Sequence, residues 1–190
     1  MTWQFILAQV LGLIALVLVC ISYSFNTRKN FLFYQIIANI FYAASFLALG
    51  VLVGGLSTVI SIFRVVLLYI CEKLNKKPSK IIFILFSSFY LISGIIFYEN
   101  ALDIIAIISY EIFNFAMFVK NINMVRILML PPNIMIITYN ILSLTYTNAI
   151  LDFIEILVLI ITIIKFRKND VKKMKYLLWN ICWNIHLFDF

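Results

Sequence analysis

A chain of 190 residues that is 65% hydrophobic and only 12% charged cannot hide its apolar surface in a soluble core, because soluble domains hold about 45–50% apolar and about 25% charged residues. The lipid bilayer is the expected partner. The formal charge of +7 would point to nucleic acid in a soluble protein, but here membrane topology accounts for it and no nucleic-acid partner is expected.

A span needs roughly 20 apolar residues to cross about 30 Å at 1.5 Å per residue. The apolar stretches divide into seven such pieces: 4–25, 31–49, 52–71, 81–98, 101–119, 127–146 and 149–166. No basic region precedes the first and no small-x-small cleavage site follows it, so it reads as a retained span rather than a signal peptide. Basic residues fall at alternate junctions: Arg28 and Lys29; Lys73, Lys76, Lys77 and Lys80; Lys120 and Arg126; then Lys165 and the run from Arg167 to Lys175. Short loops rich in Lys and Arg stay cytoplasmic. The N-terminus is therefore expected outside and the C-terminus inside. Arg64 alone among the basic residues is left within a span.

The fold class read from this pattern is all-α: a polytopic membrane protein of seven transmembrane helices. Three helices form an odd unit, so a directly following copy would be inverted, and one extra helix restores its direction. The layout is then three, one, three: two parallel three-helix repeats joined by a linker helix, a type of internal repeat found in transporters. Residues 1–72 form the first repeat, 73–99 the cytoplasmic loop and linker helix, 100–168 the second repeat, and 169–190 a basic amphipathic cytoplasmic tail. Gln9 and Asp103 match at an offset of 94 residues, as do Asn39 and Asn133. The tail has its lysines first and Trp179 and Trp183 later, a pattern suited to the inner leaflet.

Polar groups at membrane depth are costly and mark function or specific packing. In span two, Gln35, Asn39 and Tyr42 fall at i, i+4 and i+7. Ser57, Ser61 and Arg64 repeat that spacing in span three. Glu111 and Asn114 in span five, and Asp152 and Glu155 in span seven, stand at i, i+3. Each set shares one helix face, as expected for a bundle with a polar interior. Asn133 adds a further amide in span six. The candidate translocation path is Gln35, Asn39, Ser57, Ser61, Arg64, Glu111, Asn114, Asn133 and Glu155, with Glu111 as the proton or cation site. Plainer readings stand beside these. The amides also read as bonds between helices, Asp152 as an interfacial residue, and Arg64 as snorkelling to the inner headgroups. Depth along spans three and five sets Arg64 level with Glu111, which predicts an ion pair. Pro131 and Pro132 read either as a kink or as the start of a helix.

Cys20, Cys71 and Cys182 have no motif spacing, and His186 has no Cys or His near it in sequence. No metal, no cofactor and no catalytic constellation is expected, and the chain does not read as an enzyme.

The string Gln9-Val10-Leu11-Gly12, Ile21-Ser22-Tyr23 leading to Asn26-Thr27-Arg28-Lys29, Gln35-x-x-x-Asn39, and the turn from Gly50 to Gly55 before Ser57, Ser61 and Arg64 resemble the YgjV-type bacterial inner-membrane proteins. The resemblance covers roughly residues 8–72 and implies a multi-pass protein of the bacterial inner membrane. The three-one-three layout is also similar to that of the sugar-transporting SWEET and PQ-loop proteins, although no Pro-Gln pair ends span one. That likeness implies alternating access, with a small solute bound between two three-helix units. The leading expectation is a carrier for a small polar solute. The rival is a non-transporting accessory or sensor that acts through the basic cytoplasmic face. Sequence gives no oligomeric state.

Overall fold

The computed structural model describes residues 3–49, 52–96, 98, 101–142 and 149–166, with 52–54 as backbone alone. The basic amphipathic tail assigned to 169–190, with Cys182 and His186, lies outside the described residues. The helices are α1 Trp3–Tyr23, α2 Arg28–Leu49, α3 Leu52–Lys73, α4 Lys80–Ile96, α5 Asp103–Phe118, α6 Ile122–Leu128 and α7 Leu130–Leu142, followed by α8 at 149–166. Among the described residues there is no strand. Among the described residues four stretches are long and apolar enough to cross a membrane: Trp3–Tyr23, Arg28–Leu49, Gly55–Lys73 and Ile122–Leu142. The 17 residues of α4 and 16 of α5 rise only about 24–26 Å.

The distribution of polarity is the reverse of a soluble protein's. Phe63, Ile84 and Ile161 each expose more than 60% of their surface, whereas Asn114 and Arg126 are fully buried and Arg64 is 4% exposed. An apolar exterior around buried polar groups is stable where the solvent is hydrocarbon.

Small residues set the closest packing. Ala8, Gly12 and Ala15 lie on the buried side of α1. The α2 hydroxyl of Ser45 reaches across to donate to the Ala8 carbonyl at 2.7 Å. A Cβ on Gly12 would stand 3.5 Å from that same hydroxyl oxygen. Small residues four apart let helix backbones approach where no hydrophobic force draws them together. Along the chain α2 packs on α3, α3 on α4, and α4 on α5, while α5 packs on α6 and α7. Gly94 of α4 meets Ile107 of α5, where a Cβ would fall 2.6 Å from Cγ1.

Two helix ends explain local geometry. Asn75 follows α3 with φ of 53°, and its amide donates to Glu72 O while that of Lys76 donates to Cys71 O. This is the paired arrangement that closes a helix through a left-handed residue. The expected span 127–146 begins earlier, at Ile122, and is divided at Met129. The Asn121 side chain accepts from the Asn123 amide at 2.9 Å and starts α6. Pro131 and Pro132 occupy the first turn of α7, where a missing N–H costs little. Met129 N still bonds Val125 O, and Asn133 N bonds Met129 O, so helical hydrogen bonds run across the division. The prolines thus mark a helix start.

Candidate functional site

Three helices build one polar cluster. The i, i+3 spacing of Ser61 and Arg64 on α3 turns both toward α4 and α5. Arg64 Nη1 donates to Asn114 Oδ1 at 3.4 Å, and its guanidinium lies 5.3 Å over the Tyr90 ring, within cation–π range. Tyr90 shares a 2.7 Å hydrogen bond with Ser61 and stacks on Tyr110 at 6.0 Å and 7°. Beside them Ser87 donates to Glu111 Oε2 at 2.5 Å. Arg64 Nε, Asn114 Nδ2 and Glu111 Oε1 are buried without a hydrogen-bond partner. The remaining residue of the α3 stripe, Ser57, is buried in the same helix.

The expected ion pair between Arg64 and Glu111 is not formed. Asn114 stands one turn nearer the end of α5, where the long Arg64 side chain descends to meet it, and Glu111 turns to Ser87 of α4 instead. Arg64 does not snorkel either, being 4% exposed. α4, assigned from sequence as a linker, packs against both α3 and α5 and supplies Ser87 and Tyr90.

A second cluster joins α1, α2, α7 and α8. Tyr23 OH donates to Glu155 Oε1 at 2.5 Å. Asn133 faces this same pair, and its Nδ2 is buried without a hydrogen-bond partner. Gln35 Nε2 donates to Ser22 Oγ at 2.9 Å, and Ser22 donates on to Val19 O. Asn39 and Tyr42 are half-buried on α2. Asp152, read as interfacial, is half-buried and accepts from Asn140 Nδ2 at 2.6 Å. Tyr139 donates to Asp103 at 3.1 Å.

The end of the bundle that carries Arg28, Lys73, Lys80, Lys120 and Arg126, here termed the basic end, holds a reciprocal pair of contacts. Arg28, at the start of α2, donates through Nη2 to Met117 O near the end of α5, at 2.5 Å. Arg126, on α6, donates through Nη2 to Phe25 O just past the end of α1. Arg28 thereby satisfies a carbonyl in the last turn of α5, and Arg126 one in the turn between α1 and α2. Arg28 Nε also pairs with Glu72 at 3.5 Å. Arg126 Nη1 reaches Asn123 Oδ1 at 2.6 Å, and the guanidinium lies 4.7 Å over the Phe166 ring.

Sequence reasoning passed over Tyr90 and Tyr110, placed Ser87 in a linker helix with no role of its own, gave Tyr23 a place only in the family resemblance, and gave Arg28 and Arg126 no contacts in the fold. One signal was present: Ser87 and Tyr90 stand at i, i+3 on α4, the same spacing that singled out the other stripes. Among the described residues no group of three or more His, Cys, Asp or Glu is placed to hold a metal ion. Cys20 and Cys71 are free and half-buried.

The Imp-YgjV family model, described as a bacterial inner membrane protein, matches residues 6–170. No curated protein and no solved structure matches the chain.

Proposed function

Since the chain belongs to this family of bacterial inner membrane proteins, we propose that it is a carrier that moves a small polar solute by alternating access between two three-helix units. The observation that carries this reading is the α3–α4–α5 cluster. Three buried polar atoms there, on Arg64, Glu111 and Asn114, lack partners. Unsatisfied groups at such depth cost several kcal/mol each in hydrocarbon, so they are retained for a ligand or a water-filled path. Arg64 offers donors to an acceptor-bearing solute, and Glu111, with one free oxygen, is the proton or cation site.

Reciprocity supports the two-unit layout. In that layout α1, α2 and α3 correspond to α5, α6–α7 and α8. Arg28, opening the second helix of one unit, reaches the end of the first helix of the other, and Arg126 returns the contact. The polar crossings obey the same rule. Glu155 on α8 meets Tyr23 on α1, and Arg64 on α3 meets Asn114 on α5. Third helix to opposite first helix occurs twice, as a twofold relation between parallel repeats requires. The orientation in this reading keeps the N-terminus outside and the basic end cytoplasmic.

A thermal-unfolding screen of the purified protein against sugars, vitamins and amino acids tests the reading. At least one solute should raise the midpoint of the wild type and fail to do so for Asn114→Ala and Glu111→Gln. The same solute should enter proteoliposomes. A solute that stabilises wild type and both variants equally, or no stabilising solute at all, would sink the carrier reading.

A further inference from the structure

The basic end carries a second built site, separate from the cluster around Arg64. A pocket of about 110 Å³ opens where the loop after α3 meets the ends of α5 and the start of α2. Arg28, Lys76, Lys77 and Lys120 line it, with Glu72 as the one carboxylate among its lining residues. The three lysines are exposed at the rim. Arg28 forms the floor, its side chain only 8% exposed. Two of its three nitrogens are engaged, Nε by Glu72 and Nη2 by the Met117 carbonyl. The third, Nη1, is buried with no partner.

Neighbouring helix ends do not compete for these cations. The carbonyls of Cys71 and Glu72 at the end of α3 are already taken by the amides of Lys76 and Asn75, and Met117 O is taken by Arg28 itself. The left-handed Asn75 turns the chain so that Lys76 and Lys77 come back over the pocket. Its volume suits several waters or one tetrahedral oxyanion, not a whole sugar. A guanidinium with a free N–H at the floor and ammonium groups at the rim is the donor set that phosphate recognition uses.

We propose that this pocket binds a phosphate-class oxyanion through Arg28 Nη1, with Lys76, Lys77 and Lys120 closing over it. Two sources offer that group at a membrane surface: an anionic phospholipid headgroup and a free phosphorylated solute. The site does not depend on the carrier reading.

The test uses the full chain in a neutral detergent, with the unfolding midpoint as readout. One arm titrates inorganic phosphate against chloride at matched ionic strength. The other titrates short-chain phosphatidylglycerol against short-chain phosphatidylcholine. The midpoint should rise saturably with at least one anion and with neither control. The triple variant K76Q/K77Q/K120Q should raise the half-saturating concentration at least tenfold. K73Q/K80Q removes two lysines at the helix ends that flank the α3–α4 loop and do not line the pocket, and should leave it unchanged. All five lysines are exposed, so both variants keep the fold. Saturation by phosphate assigns the site to a free phosphorylated ligand, and saturation by phosphatidylglycerol alone assigns it to the headgroup. No saturable rise with either anion overturns the proposal. So does an equal response to phosphatidylcholine, or an equal loss in the two lysine variants, which would mean general surface attraction.

Discussion

Replacing Tyr23 by Phe removes one hydroxyl and leaves the ring, which stacks on Phe31 at 6.1 Å and 29°, in place. The hydroxyl is the donor to Glu155 Oε1, and Asn133 faces the same pair with its Nδ2 buried and without a hydrogen-bond partner. The carboxyl group therefore loses the hydrogen bond that the tyrosine supplies. Hydrogen bonds to charged groups contribute about 1.5–3 kcal/mol net, and at about 2–4 °C per kcal/mol for a chain of this size the midpoint of Tyr23→Phe should fall by roughly 3–12 °C. Glu155→Gln keeps the volume and an acceptor oxygen but no charge, so it should cost less. In the Glu155→Gln background, Tyr23→Phe should remove only a neutral hydrogen bond, about 0.5–1.5 kcal/mol. The assay is fluorescence-monitored unfolding of all four proteins in one detergent, and the coupling energy is the quantity of interest. No measurable change in Tyr23→Phe, or strict additivity in the double variant, would show that this contact does not hold α8 to α1.

Three further outcomes are expected. Gly94→Ala would put a Cβ 2.6 and 2.8 Å from Ile107 Cγ1 and Cδ1 and should destabilise by about 1–3 kcal/mol; Ile107→Ala should restore the midpoint, whereas Gly12→Ala, 3.5 Å from Ser45, should keep or raise it because Ala is the better helix former. Asn75→Ala should cost about 1–2 kcal/mol for a left-handed residue, while Asn75→Gly should be neutral by the same unfolding assay. A reporter inserted between Glu99 and Asn100 should read external and one inserted after Lys76 cytoplasmic; the opposite pair of signals refutes the orientation drawn from the basic junctions.

How much of this was legible in the sequence depends on the range of the forces involved. Helix positions are local. An apolar run must form its own backbone hydrogen bonds in lipid, so helices form where the apolar runs stand, and four of the described stretches are long and apolar enough to cross a membrane. The faces are also local, because i, i+3 and i, i+4 spacing fixes them. Partner choice is not. Depth along two helices put Arg64 level with Glu111, yet the length of the arginine side chain and the crossing of α4 between the two decided for Asn114 and Tyr90. Tyrosine was the main blind spot. In an apolar span its ring reads as packing, and only the folded bundle reveals that the hydroxyls of Tyr23, Tyr90 and Tyr139 each meet a polar partner from another helix.

The basic junctions illustrate the same distinction at the level of a single residue type. Read by position alone, Arg28 and Arg126 mark the cytoplasmic side, and Lys would serve that purpose equally well. Their contacts ask for more. Arg28 divides its guanidinium among a carboxylate, a helix-end carbonyl and a free donor, and Arg126 joins a carbonyl, an amide and an aromatic face. Only a planar fork with several fixed N–H directions does this, whereas an ammonium is a single point charge. The rule of basic junctions asks only that these two residues be basic, and their tertiary contacts explain why they are arginines. The lysines of the α3–α4 loop meet no such demand on shape, which suits them to the rim of an anion pocket whose floor is already fixed.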